Sequence, residues 1–99
     1  MTKKKTLIHI TSEGERYYAG LQRLGYSGLP FEQRVEFNIL LDLVLEGQPI
    51  VLEEFFGTDR NTIMGRLLFQ HPNLRDTYAR TLHKLIKQRY VKAGEEEQQ

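Results

Sequence analysis

The sequence predicts a mainly α-helical fold with a small β-sheet, built from four to five helices and two to three short strands. Three observations carry this. Apolar residues recur at helical spacing over four segments, glycine or proline punctuates each segment, and β-rich stretches are few and short. A chain of 99 residues buries roughly 65% of the surface its unfolded form exposes, enough for one modest core. Hydrophobic residues make up 39% and charged residues 27%, a globular composition rather than a disordered one. Residues 1–94 read as a single domain, and 95–99 (Glu-Glu-Glu-Gln-Gln) as a disordered acidic and polar tail.

Thr6-Leu-Ile-His-Ile-Thr11 alternates Leu7 and His9 against Ile8 and Ile10, which predicts a short strand. Ser12-x-x-Glu15 then matches a capping box, opening a helix with Tyr17, Leu21 and Leu24 on one face and Gly25 past its end. Pro30 suits the first residue of the next helix, where its missing N–H costs nothing. Val35, Ile39, Leu40, Leu43 and Val44, widened by Phe37, Leu41 and Leu45, make that helix the central one, and Gly47 ends it. Pro49 confines the short strand at 50–52 to a sheet edge. Glu53-Glu-Phe-Phe56 is a helical turn stopped by Gly57. Thr58 or Asp59 is the expected cap of a helix reaching Gln70, with Ile63, Met64, Leu67 and Leu68 on adjacent stripes. Pro72 breaks the chain and Asn73 is the expected cap of a last helix over 74–88, with Leu74, Tyr78, Leu82 and Leu85 inward. Tyr90-Val-Lys-Ala93 is the expected final strand. Leu40, Leu43, Leu82 and Leu85 are expected to share the core.

Several function classes fall away. There is no cysteine, which removes disulfides, thiolate metal sites and cysteine nucleophiles. No apolar run exceeds three residues, so neither a spanning segment nor a signal-peptide core is expected, and the chain reads as cytoplasmic. His9, His71 and His83 are scattered, Glu53 and Glu54 point two ways on one turn, and phosphate-cradling glycine loops are missing. An enzyme is not expected, nor a cofactor or metal.

Charge supplies the functional lead. Net charge is only +1, but it is polarised. Residues 30–56 carry Arg34 against Glu32, Glu36, Asp42, Glu46, Glu53 and Glu54, whereas 74–94 carry Arg75, Arg80, Lys84, Lys87, Arg89 and Lys92 against Asp76. On the last helix Arg80, Lys84 and Lys87 fall at i, i+4 and i+7, flanked by Arg75, Thr77 and Thr81. Cations for phosphates, with Arg and Thr near the helix start for base edges, are what a major groove takes. The plainer reading is a solvated basic face.

The order of helix, short strand, helical segments, basic helix and strand resembles the winged helix-turn-helix superfamily over about residues 31–93. Pro49-Ile-Val-Leu-Glu-Glu-Phe-Phe56 is similar to the strand leading into the second helix, and Thr77 to Val91 to the recognition helix and the start of the wing. The resemblance implies double-stranded DNA as partner, a recognition helix in the major groove and a wing on the backbone. The sixteen residues 57–72 exceed the family's short turn, so a second register is open in which Thr62-Ile-Met-Gly-Arg-Leu-Leu68, with Arg60 and Arg66, reads DNA. The later helix is preferred because it alone joins a basic stripe to a following strand. The chain leaves no room for a second wing strand after Val91. Leu7 to Arg16 looks like the strand-to-helix passage that closes the wing in regulators of the MarR and PadR types, which places the N-terminal strand beside the C-terminal one; an unrelated N-terminal strand and helix is the alternative.

The reading is therefore a small repressor or partition-type DNA-binding protein. Its expected contacts are Arg75, Thr77, Arg80, Thr81, Lys84, Lys87, Arg89 and Lys92, with a Lys3–Lys5 arm on the backbone. Tyr17 and Tyr18 cannot both face inward on one helix, so one is expected at the interface of a homodimer. The alternative function is a non-enzymatic protein–protein adaptor on the same kind of fold.

Overall fold

A computed structural model describes residues 3–59 and 61–98, with the backbone alone described for residues 3, 4 and 95–98. The elements run β1 (Lys3–Ile10), α1 (Ser12–Leu24), α2 (Phe31–Glu46), β2 (Ile50–Val51), α3 (Leu52–Phe55), α4 (Ile63–Gln70), α5 (Arg75–Lys87) and β3 (Val91–Gln98). Two 3-10 turns, Tyr26–Gly28 and Pro72–Leu74, join α1 to α2 and α4 to α5. The fold is mainly helical with a small antiparallel sheet, as the sequence predicts.

The sheet has the order β2-β1-β3, so the N-terminal strand is central and the two chain ends pair. β1 runs antiparallel to β3 from Lys3 opposite Gln98 to Ile10 opposite Val91. Its other side pairs Leu7 with Val51 and Ile8 with Ile50, leaving β2 on an edge as Pro49 requires. The last strand is longer than 90–93. Residues 95–98, expected as a disordered tail, continue β3 along β1, with Glu95 opposite Thr6 and Gln98 opposite Lys3. Gln99 lies outside the described residues.

Local punctuation works as expected at two glycines, and Pro30 falls one residue before α2 rather than as its first. Gly25 and Gly47 take positive φ values of 84° and 69° where α1 and α2 end, conformations that glycine adopts at little steric cost. The caps differ. Thr11, not Ser12, caps α1: its Oγ1 accepts the Gly14 N–H at 3.0 Å and donates to the Arg89 carbonyl at 2.7 Å. Thr62, not Thr58 or Asp59, caps α4 by accepting the Gly65 N–H at 3.0 Å, and the buried Asp42 carboxylate accepts the next free donor, Met64 N–H, at 3.0 Å. Asn73 falls inside the 3-10 turn, and α5 starts from Leu74 without a side-chain cap.

Around α2, the core gathers Val35, Ile39, Leu40 and Leu43 with Ile8 and Val91 from the sheet, Met64 and Leu68 from α4, and Tyr78, Leu82 and Leu85 from α5. The four expected shared leucines are all buried. Burying side chains of this size stabilises the fold by about 1.5–3 kcal/mol each before entropy is counted. Val44 and Leu45 are exposed, which narrows α2's apolar face. Gly14 marks a close approach of two backbones. A Cβ there would stand 2.1 Å from the Tyr90 carbonyl oxygen, so only glycine lets the start of α1 lie on the passage from α5 to β3. Among the described residues no helix is long and apolar enough to cross a membrane.

Candidate functional site

α5 buries Tyr78, Thr81, Leu82 and Leu85. The side opposite exposes Asp76, Arg80, His83 and Lys87 at intervals of four, three and four residues, which is one helical stripe. This stripe is rotated from the expected one. Arg80 and Lys87 belong to it, His83 joins them, and Thr81 and Lys84 do not. The reason is α2, whose N-terminal half covers one flank of α5. Thr81, expected to touch DNA, is only 8% exposed. Thr77 is half-buried beside a cleft of about 280 Å³ shared with Phe31, Val35 and Arg80.

Lys84 is held by carboxylates of α2. Its Nζ donates to Glu32 Oε1 at 2.5 Å and lies 2.9 Å from Glu36 Oε2. The Glu36 side chain is only 4% exposed, and its Oε1 accepts the Tyr17 hydroxyl proton at 2.6 Å. Tyr17 in turn stacks on Tyr90, with centroids 4.5 Å apart and rings nearly parallel. Four elements or junctions are thus tied through one buried carboxylate. The electrostatics agree. The bond to Glu32 foremost, then that to Glu36, raises the Lys84 pKa above its ordinary value. The same bond lowers that of Glu32. Burial foremost, then the bond to Glu36, pushes the Tyr17 hydroxyl well above the usual range. Lys84, expected as a phosphate contact, is thus half-buried with its ammonium engaged by two carboxylates of α2.

The remaining expected contacts lie on the outer stripe of α5 and at its two ends. Arg75 is exposed but its Nη1 donates to the Phe56 carbonyl at 3.4 Å, tethering α5 to the end of α3. Arg80 Nε lies 3.7 Å from Asp76 Oδ2, both side chains largely in solvent. Arg89 and Lys92 are exposed and line, with Ile86 and Glu13, an open cleft of about 380 Å³ between the end of α5 and β3. Arg89 has φ of 69°, the left-handed region that glycine fills more cheaply. Lys5 is half-buried, and the side chains of Lys3 and Lys4 lie outside the described residues. In the second register, Arg66 is exposed and its Nε donates to Asn61 Oδ1 at 3.0 Å, while Arg60 lies outside the described residues.

Two further expectations change. Tyr18 is buried, whereas Tyr17 is half-buried, with its hydroxyl on Glu36 and one ring face on Tyr90. Glu32 and Glu36 were legible only as members of an acidic stretch. Their i, i+4 spacing on α2, set against the basic helix, is the signal that pairs them with Lys84. Among the described residues no three His, Cys, Asp or Glu side chains gather as a metal site would require. Compared with known families, curated proteins and solved structures, the chain matches no family model, no curated protein and no solved structure.

Proposed function

We propose that the protein binds double-stranded DNA through the outer stripe of α5, as a small repressor or partition-type protein. The carrying observation is that stripe. Arg80, His83 and Lys87 are exposed along one line, Arg89 and Lys92 follow beyond its end, and Asp76 is the only acidic residue of the helix. Exposed Arg and Lys side chains along one line of a helix fit phosphates along a groove, and the strength of such binding depends on salt through released counterions. The order of elements supports the same reading. A helix, an edge strand, two helices and the basic helix lead into a ribbon whose second strand is β1, the arrangement that a wing closed by the N-terminal strand would have.

Fluorescence anisotropy with random duplex at several salt concentrations tests this. Arg80→Ala and Lys87→Ala are each expected to lower the slope of log K against log salt by about 0.9. Lys84→Met, which removes a cation already paired, leaves the slope unchanged. No binding at low salt overturns the proposal. The adaptor reading would then stand, favoured by Leu45 and Phe69, which are 67% and 74% exposed on α2 and α4.

A further inference from the structure

The sheet has two edges, and they are unequal. β2 is two residues long and follows Pro49, which has no N–H to offer another strand. β3 is eight residues long and contains no proline. Among the described residues only β1 pairs with it, so its outer edge presents unpaired backbone donors and acceptors. A long open edge is a template for another strand, which supplies affinity through main-chain hydrogen bonds.

We propose that this edge is a homodimer interface, in which a second copy lays its own β3 antiparallel against the first to make one continuous sheet. Symmetry and charge together choose the register. A two-fold axis through an antiparallel pair keeps each sheet face on its own side, so residues stand opposite only residues of the same face. Centring the axis on Gly94 of Val91-Lys-Ala-Gly-Glu-Glu-Glu-Gln98 sets Lys92 opposite Glu96 of the partner subunit, twice over. Centring it on Ala93 sets Lys92 opposite glycine, and centring it on Glu95 sets that glutamate opposite itself. Only the Gly94 register puts Lys92 opposite a glutamate, and it leaves the closest approach to a residue without a side chain. Within the chain, Glu96 stands opposite Lys5 and Lys92 opposite His9. The joined sheet therefore carries a row of Lys5, Glu96, Lys92 and His9 in which the acidic position lies between basic ones. The edge shares Lys92 with the proposed duplex surface, and sedimentation in the absence of DNA reads dimerisation separately from duplex binding.

Sedimentation equilibrium of the full chain reads the proposal out directly. The wild type is expected to be a dimer at about 100 µM, a range in which weak specific contacts are populated. K92E is expected to raise the dimer dissociation constant about tenfold or more, because two attractive cross-strand pairs become two repulsive ones. E96K is expected to do the same, and an equimolar mixture of K92E and E96K to form a heterodimer, since each reversed charge then faces its complement. Circular dichroism melts confirm that each variant is folded. Where E96K loosens the pairing with Lys5, K92E decides alone, its side chain being exposed on β3. A monomeric wild type, a K92E dimer as tight as wild type, or two folded variants that fail to associate when mixed would each overturn the proposal.

Discussion

Lys84 and Lys87 sit one turn apart on the same helix and do different work. Lys84 lies on the flank that meets α2 and is closed into an ion-paired cluster with Glu32 and the buried Glu36. Lys87 lies on the stripe that faces solvent. The difference teaches that a basic helix is not one electrostatic object. The flank that a neighbouring helix covers becomes part of the fold, and only the remainder is available to a partner.

The largest expected effect is on the covered flank. Glu36→Ala removes one of the two carboxylates on Lys84 and the acceptor of the Tyr17 hydroxyl, leaving Glu32 alone on the ammonium and a part-buried hydroxyl without its partner. Breaking a fully buried pair costs about 3–5 kcal/mol, and the surviving Glu32 contact with the partial exposure of Lys84 reduces this to about 1–2. Urea denaturation at neutral pH checks it; a loss below 0.5 kcal/mol (about the scatter of surface substitutions) would mean the cluster is ornamental. Lys84→Met is expected to cost about 1 kcal/mol and Lys87→Met nothing outside about 0.5. The pH dependence follows from the directions of the shifts. Lys84 and Tyr17 both titrate higher in the folded protein than in the unfolded chain. Their contribution is whole below the unfolded values near 10 and is lost as pH rises toward the folded ones. Melts from pH 8 to 11.5 should therefore show a steep alkaline loss that is shallower in Lys84→Met. Equal slopes in the two proteins would separate Lys84 from the stability of the cluster.

The division between the two flanks explains what could be read in the sequence. Element boundaries set by local chemistry were legible: Gly25 and Gly47 with their positive φ, Pro30 before α2, and Pro49 on an edge strand. Caps were misplaced wherever a distant group chose between neighbours. Thr11 wins over Ser12 because its hydroxyl also reaches the carbonyls of Arg89 and Tyr90. The strand at 95–98 depends on β1, far away in sequence, and its acidic composition alone reads as a tail. The site was half legible for the same reason. A pattern of period 3.6 locates the buried arc of α5, but not which flank α2 will cover. Thr81 and Lys84 were lost from the contact set by that one unknown.

Arg89 sharpens the comparison from the other side, because there structure and proposed binding pull apart. Its backbone occupies the left-handed region just after α5, with its N–H bonded to the Ile86 carbonyl at 3.0 Å. Glycine at this position relieves the steric cost, and Arg89→Gly is expected to stabilise the protein by about 0.5–1 kcal/mol. The same change removes an exposed cation next to Lys92, so duplex affinity should fall and the salt slope with it. A variant that gains stability and keeps its affinity would show that Arg89 has no part in binding.

A small effect on the fold is expected at Asp76, and it isolates the exposed stripe from everything beneath it. Asp76 and Arg80 form an i, i+4 pair at 3.7 Å with side chains 85% and 74% exposed. Pairs of this kind contribute about 0.3–0.5 kcal/mol, and Asp76 also sits in the first turn of α5, where a negative charge suits the helix dipole. Asp76→Asn is therefore expected to shift stability by no more than about 1 kcal/mol. Binding should respond in the opposite sense. The substitution removes the only acidic residue of α5 and frees the Arg80 guanidinium, so duplex affinity should rise at low salt, and the rise should fade as added salt screens it. Anisotropy titrations of Asp76→Asn and wild type at two salt concentrations give the comparison. A fall in affinity instead would assign Asp76 a different task, that of holding Arg80 in the orientation from which it meets the duplex.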